Sequence, residues 1–422
     1  MVLSNYEVLQ FVKENDVKFV RLAFCDLLGR QRNIAIMADG LENVLRNGMQ
    51  FDASAVDFCE AGGQDLKLFP DVTTLHMMPW RPQHGRVVKF LCSLKKTNNS
   101  TSPLDAREVL KDVLNQLNEE GIETKVGTEC EFYLFKTDEN GEPTSNVHDN
   151  ASYFDIAPLD KGENVRREIC LCLEEMSINP LSSHHEKGPG QNEIDFIDSD
   201  ALTACDNFLI FKTVVKAIAA RNGLFASFMP KPIDDKSGNS LAINFKLKKE
   251  GKDIFGNFVD APTLLAEGFV AGILKRANAL SIFLNPDANS YSRLGRCGAP
   301  SRANFSFTDR SSYIRLQTNI DGCSRLEMHS SDPAVNPYLA IALVLKAGLL
   351  GMKKGEKLSN VEIGDALPNS IENAIEIAIC DDFLRDTLGD KIFEQYIKLK
   401  KNEVKEFALD PQGKSRKYFE VM

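Results

Sequence analysis

Five glutamates sit at spacings that allow joint chemistry. In VGTECEFYLF, Glu129 and Glu131 are two residues apart on a predicted strand, so both carboxylates face the same side. Like charges on one face repel unless cations occupy it; without such cations the pair is a solvated sheet edge. In SSHHEKGPGQNEIDF, Glu186 and Glu193 flank a GPGQ turn that can fold them back toward one point, and Glu327 stands between Arg325 and His329. Carboxylates drawn from separate segments suit hard, oxygen-preferring cations such as Mg²⁺ or Mn²⁺ better than zinc. Arg293, Arg310, Arg315 and Arg325 crowd the interval before and around Glu327. Guanidinium forks match phosphate and carboxylate oxygens, the second half of a phosphoryl-transfer site, although surface ion pairing gives the same composition. There is no Walker A sequence and no GxGxxG, which leaves P-loop and Rossmann nucleotide sites unsupported.

The elements that must hold these residues follow from periodicity. VKFVRLAF (residues 17–24) alternates like a strand, DLLGR turns at Gly29, and RVVKFLCSL ends a second strand near Leu94. The polar run KKTNNSTSP reads as a linker after a small domain of strands with one short helix. Beyond Pro103, Val109, Val113 and Leu117 share a helical face closed by Gly121. Val165, Ile169, Cys172 and Met176 form a second stripe, and Phe208, Phe211, Val215 and Ile218 a third. Asn336 and Pro337 read as N-cap and first residue of a buried helix through YLAIALVLKAG. Strands interspersed with helices, without a regular βαβ rhythm, predict an α+β architecture.

Composition narrows the partners. A chain of 422 residues favours a small domain plus a larger one. A formal net charge of −10, with no basic run, gives no reason to bind nucleic acid or an anionic membrane. The start of the chain lacks a cleavable apolar segment, and the longest apolar stretch is broken by Lys346, so a cytoplasmic protein with a small-molecule partner is expected. The ten cysteines are scattered without a CxxC set and read as reduced and mostly core.

Taken in order, VKFVRLAFCDLLG, YFDIAPLDKGENVRREICLCLEEM, SSHHEKGPGQNEIDF, FASFMPKPI, NPDANSYSRL and RLEMHSSDPAVNPYLAIALVLKAGLLGM resemble the class I glutamine synthetases over roughly residues 15–400. The resemblance implies an N-terminal β-grasp domain (1–98) and a catalytic domain (103–422) with a curved antiparallel sheet flanked by helices. It also implies assembly as two stacked hexameric rings, a dodecamer. The family transfers the γ-phosphoryl of ATP to glutamate, and ammonia displaces phosphate from the acyl phosphate. Carried over by position, Glu131, Glu186 and Glu193 match the ligands of one divalent metal, while Glu129 and Glu327 match two ligands of another. Arg293 and Gly238 match the glutamate pocket, and Arg310, Arg315 and Arg325 the phosphate contacts. His185 and Gln191 lie in the matched metal loop. Asp52 and Tyr153 match groups that bind ammonium, Asp52 reaching across from a neighbouring subunit.

The sequence departs from the family pattern at the acceptor side. Ala242 stands where a metal-binding histidine is expected, weakening the second metal. The flap reads RLGRCGAP, one residue short and without the glutamate that takes a proton from ammonium. His329 replaces an arginine near the transferred phosphoryl group, Ala55 replaces a serine, and Ser237 and Ser240 alter the glycine-rich turn. KLSNVEIGDALP lacks the tyrosine on which some members are adenylylated. Three readings follow: a glutamate ligase using ammonia or another amine, a ring-forming protein with a binding or regulatory role, or, least supported, a guanidino kinase of related fold.

Overall fold

The computed structural model describes all residues except 1–3, 57, 59–62, 82–83, 257, 259–261, 319–323, 359–363 and 422. The described strands form two sheets. The first contains β1 (Val17–Cys25), β2 (Gln31–Met37), β3 (Met49–Phe51), β4 (Leu66–Pro70), β5 (His76–Met77) and β6 (Arg86–Lys96). Its order is β2-β1-β6-β4-β3, with β5 also paired to β6. β1 and β6 are parallel, and the other pairs are antiparallel. Val20, Leu22 and Phe24 point into the core, but Phe19 lies exposed, because the register against β6 shifts between Val17 and Phe19 and interrupts the alternation. Two α-helices, Asn5–Glu14 and Leu41–Asn47, accompany this sheet rather than the single one expected. The first is fixed by a capping box between Ser4 and Glu7, a local signal that apolar periodicity alone does not register.

The second sheet contains β7 (Ile122–Thr137), β8 (Pro143–Val147), β9 (Pro180–His185), β10 (Gln191–Phe196), β11 (Ser199–Asp200), β12 (Leu224–Ser227), β13 (Leu241–Lys249), β14 (Lys252–Asp253), β15 (Phe305–Ser306), β16 (Ile314–Thr318) and β17 (Ser324–Met328). The main path is β15-β16-β17-β13-β7-β10-β9, and every pairing is antiparallel except β15 with β16. β7 is the spine, bonded to β10 on one edge and β13 on the other. Helices Ala106–Glu119, Glu163–Glu175 and Ala201–Arg221 bury the stripes read from sequence, although the first turns Leu110 inward and leaves Val109 only partly buried. Among the described residues no helix is long and apolar enough to cross a membrane.

One continuous apolar core runs through both parts, and specific contacts fix their junction. Asn336 Oδ1 caps helix Pro337–Lys354 by accepting from the Tyr338 and Leu339 amides, while its Nδ2 donates to the Asp26 and Leu27 carbonyls. The β1–β2 turn presses so closely here that a Cβ on Gly29, at φ +80°, would sit 2.4 Å from the Val335 carbonyl oxygen. Buried Arg107 joins Asp71 beyond β4 to Asp206 in helix Ala201–Arg221, at 2.8 and 2.7 Å.

Candidate active site

Antiparallel pairing brings the glutamates together. Glu131 lies opposite Glu193 across β7 and β10, and the β9–β10 hairpin around the GPGQ turn delivers Glu186. Carboxylate oxygens of Glu131, Glu186 and Glu193 all lie within 4.8 Å of one another. Burial and then Glu186 raise the Glu131 carboxyl above its ordinary range. Burial and then Glu131 raise Glu193. Crowded carboxylates that resist ionisation are what a bound cation would relieve. Glu131 Oε2 accepts from Gln191 Nε2 at 3.0 Å and the Ser240 amide at 2.8 Å. Glu186 accepts from the Lys187 amide at 2.9 Å and has His184 Nε2 at 3.1 Å. Three carboxylate oxygen donors converging on one point fit Mg²⁺ or Mn²⁺.

Glu129 and Glu327 are placed differently. β17 pairs with β13 and β13 with β7, so both carboxylates look into the same cavity. Glu129 Oε1 accepts from Asn244 Nδ2 at 2.8 Å and Arg325 at 3.1 Å. Arg315 Nε donates to Glu327 Oε2 at 2.7 Å, a second Arg315 nitrogen reaches the same oxygen, and His329 Nε2 is 3.3 Å from Glu327 Oε1. Burial opposes ionisation of Glu327, but His329 and Arg315 outweigh it and hold its carboxyl down at about 2.

The cavity is about 720 Å³ and is lined by all five glutamates, all four arginines, Tyr153, Gly238 and His329. Arg293 is buried, donates to the Ser331 carbonyl at 3.0 Å and also to that of Ser330, and its buried Nε has no partner among the described residues. Gly238 lies against it: a Cβ there would meet Arg293 Cγ at 2.7 Å and the Pro230 carbonyl oxygen at 2.4 Å. Arg310 is exposed at the rim. Tyr153 is stacked on Phe154, with ring centroids 4.0 Å apart. The flap folds as a compact turn, Arg296 N donating to Arg293 O at 3.1 Å and Ala299 N to Arg296 O at 3.0 Å, and it presents Arg296 and Cys297 to the cavity. Asp52 does not line the cavity of its own chain; it is exposed and binds Ser54. The stretch 357–368 that lacks a tyrosine falls partly outside the described residues, as does the stretch from Phe58 to Gly63. A smaller cavity of about 290 Å³, beside the β1–β2 turn, contains none of the five glutamates.

Sequence reasoning missed three contributors. Asp195 lies opposite Glu129 across the β7–β10 register and lines the cavity; its position two residues after Glu193 on a strand was the available signal. His184 groups with Glu193 and Asp195. Asp149, fully enclosed, meets His185 Nε2 at 2.9 Å while His185 Nδ1 meets the Glu186 carbonyl at 2.6 Å. Asp149 thereby steadies the loop carrying Glu186, and no pattern linked it to that loop.

The two sheets, with a carboxylate-and-guanidinium cavity built on the second, define an α+β protein equipped to hold an anionic ligand beside a divalent cation. Family models described as the β-grasp domain and the catalytic domain of glutamine synthetase match residues 16–97 and 103–418. A glutamine synthetase of Clostridium saccharobutylicum is 41% identical over 410 residues, covering 93% of each chain. One from Methanosarcina mazei is 39% identical over 421 residues, covering 95% of this chain and 94% of its own. The solved structure of GmaS in complex with ADP superimposes with a TM-score of 0.86 at 27% identity, covering 97% of both chains. The chain belongs to the glutamine synthetase family, and with it to the ATP-dependent carboxylate–amine ligases.

Proposed function

We propose that the protein joins glutamate to ammonia through γ-glutamyl phosphate, with ATP as phosphoryl donor. The observation that carries this reading is the convergence of Glu131, Glu186 and Glu193 beside Arg293 and Arg310 in one cavity. The glutamate side chain attacks the γ-phosphorus and ADP leaves; the amine nitrogen then attacks the acyl carbon, phosphate departs, and the nitrogen loses a proton. Arg293, with an unpartnered buried Nε and a glycine wall, suits the substrate's α-carboxylate. Arg310, exposed at the rim, can reach the phosphoryl group, and Arg315 and Arg325 supply positive potential on the nucleotide side. A divalent cation on the three glutamates would neutralise phosphate oxygens. The likeness to GmaS, solved with ADP, supports a nucleotide in this cavity.

Tyr153 and Asp52 are the groups assigned to the ammonium side, Asp52 from a neighbouring copy. That assignment belongs with a cytoplasmic dodecamer of two hexameric rings, and with a division of the chain into 1–98 and 103–422. Because the flap lacks a carboxylate and offers Arg296 and Cys297 instead, the amine deserves a panel. Phosphate release from ATP, Mg²⁺ or Mn²⁺ and glutamate is expected to depend on ammonia or one other amine, and to fall at least ~100-fold in Glu131→Gln. Amine-independent or absent turnover with no bound nucleotide would establish a non-catalytic role instead.

A further inference from the structure

Within one cavity, the five glutamates divide by the company they keep. Among the described residues no lysine or arginine is bonded to Glu131, Glu186 or Glu193, although Arg293 lines the same cavity. Glu129 and Glu327 are each bonded by an arginine, Glu129 by Arg325 and Glu327 by both nitrogens of an Arg315 fork, with His329 closing on the remaining Glu327 oxygen. The strand position facing Glu129 is Ala242, whose methyl group has no lone pair to offer. The next position of β13 on that side is Asn244: its amide nitrogen donates to Glu129, while its Oδ1 is buried without a partner among the described residues.

We infer that the second cation position of this cavity has been taken over by the protein's own cations. Arg315 and Arg325 neutralise Glu327 and Glu129, with His329 against the second Glu327 oxygen, and the free protein holds one divalent ion, on Glu131, Glu186 and Glu193. The inference rests on the ligase reading and changes what that reading requires: the fixed positive charge beside the phosphates is guanidinium, and it stays when metal is removed. A carboxylate with one oxygen held by two nitrogens of the same arginine is a poor ligand, because a metal must first displace a charge-assisted pair. The loss of the Ala242 donor and the Arg315 fork are two sides of one rearrangement.

The test counts Mn²⁺ bound to the nucleotide-free protein by electron paramagnetic resonance, so that the ion ATP itself carries is not counted. About one equivalent per subunit is expected, lost in Glu131→Gln and retained in Glu129→Gln. Mn²⁺ should raise the thermal midpoint of wild type and Glu129→Gln equally, and leave that of Glu131→Gln unmoved. Both substitutions are near-isosteric, and circular dichroism confirms that each variant is folded before counting. Two equivalents in wild type, one of them lost in Glu129→Gln, would overturn the inference and leave the ligase intact. No bound Mn²⁺ together with no ATP turnover would overturn both.

Discussion

Gln191 does more for the cavity than its neutral side chain suggests. It is completely buried, and its amide nitrogen is shared among Glu131 Oε2, the Gly238 carbonyl at 3.2 Å and Asn239 Oδ1 at 3.3 Å, while its oxygen accepts from the Gly188 amide at 2.9 Å. One side chain thus ties one of the three clustered glutamates to the glycine that lies against Arg293. Gln191→Leu keeps the volume and removes every bond, so Mn²⁺ affinity is expected to fall ~10- to 100-fold, measured by the same resonance titration. At this scale the sequence was most legible where period-two spacing or a turn fixed direction, as for Glu129, Glu131, Glu186 and Glu193. It was silent where a contact joins distant segments, as between Asp149 and His185, and where a residue's partner decides its role, as for Arg315 and Glu327.

Among the elements, β6 contains the least comfortable residue. Lys89 is buried in the middle of the strand at 2% exposure, its one described side-chain bond a 3.3 Å contact to Gln31 Oε1, and burial pushes its ammonium down to about 7. The unfolded chain keeps that proton up to about pH 10. Between pH 7 and 10 the unfolded state therefore binds more protons, and this residue makes stability rise with pH across that window, its cost being greatest below pH 7. Lys89→Met is expected to stabilise the protein at neutral pH by roughly 1 kcal/mol or more, and to flatten the difference in urea midpoint between pH 7 and pH 9. The long helices were readable from apolar stripes and the Asn336–Pro337 cap, since local chemistry sets both. The shift in β1 was not, because a bulge depends on what the partner strand does. Nor could RVVKFLCSL reveal that its lysine would be enclosed, since a strand pattern does not say which face meets a second layer.

For the whole molecule, the main fact is that Asp52 stands outside the cavity of its own chain. If the ammonium side is completed by a neighbouring copy, each active site draws on two chains. Co-expressed Asp52→Ala and Glu131→Gln subunits should then recover about one quarter of wild-type turnover, since random pairing leaves that share of sites with both residues intact. Either variant alone should stay inactive, and a mixture no better than its parts would put the acid–base group within one chain. The expected assembly rests on family resemblance alone: nothing in a sequence's periodicity specifies symmetry.

The junction at Asn336 carries one more consequence. The same side chain supplies the first bonds of helix Pro337–Lys354 with its oxygen and clasps the β1–β2 turn with its nitrogen, so swinging the β-grasp part away would fray that helix at its start. The chain has no hinge there. Parting the two halves there would cost the helix its cap together with the grip on the turn.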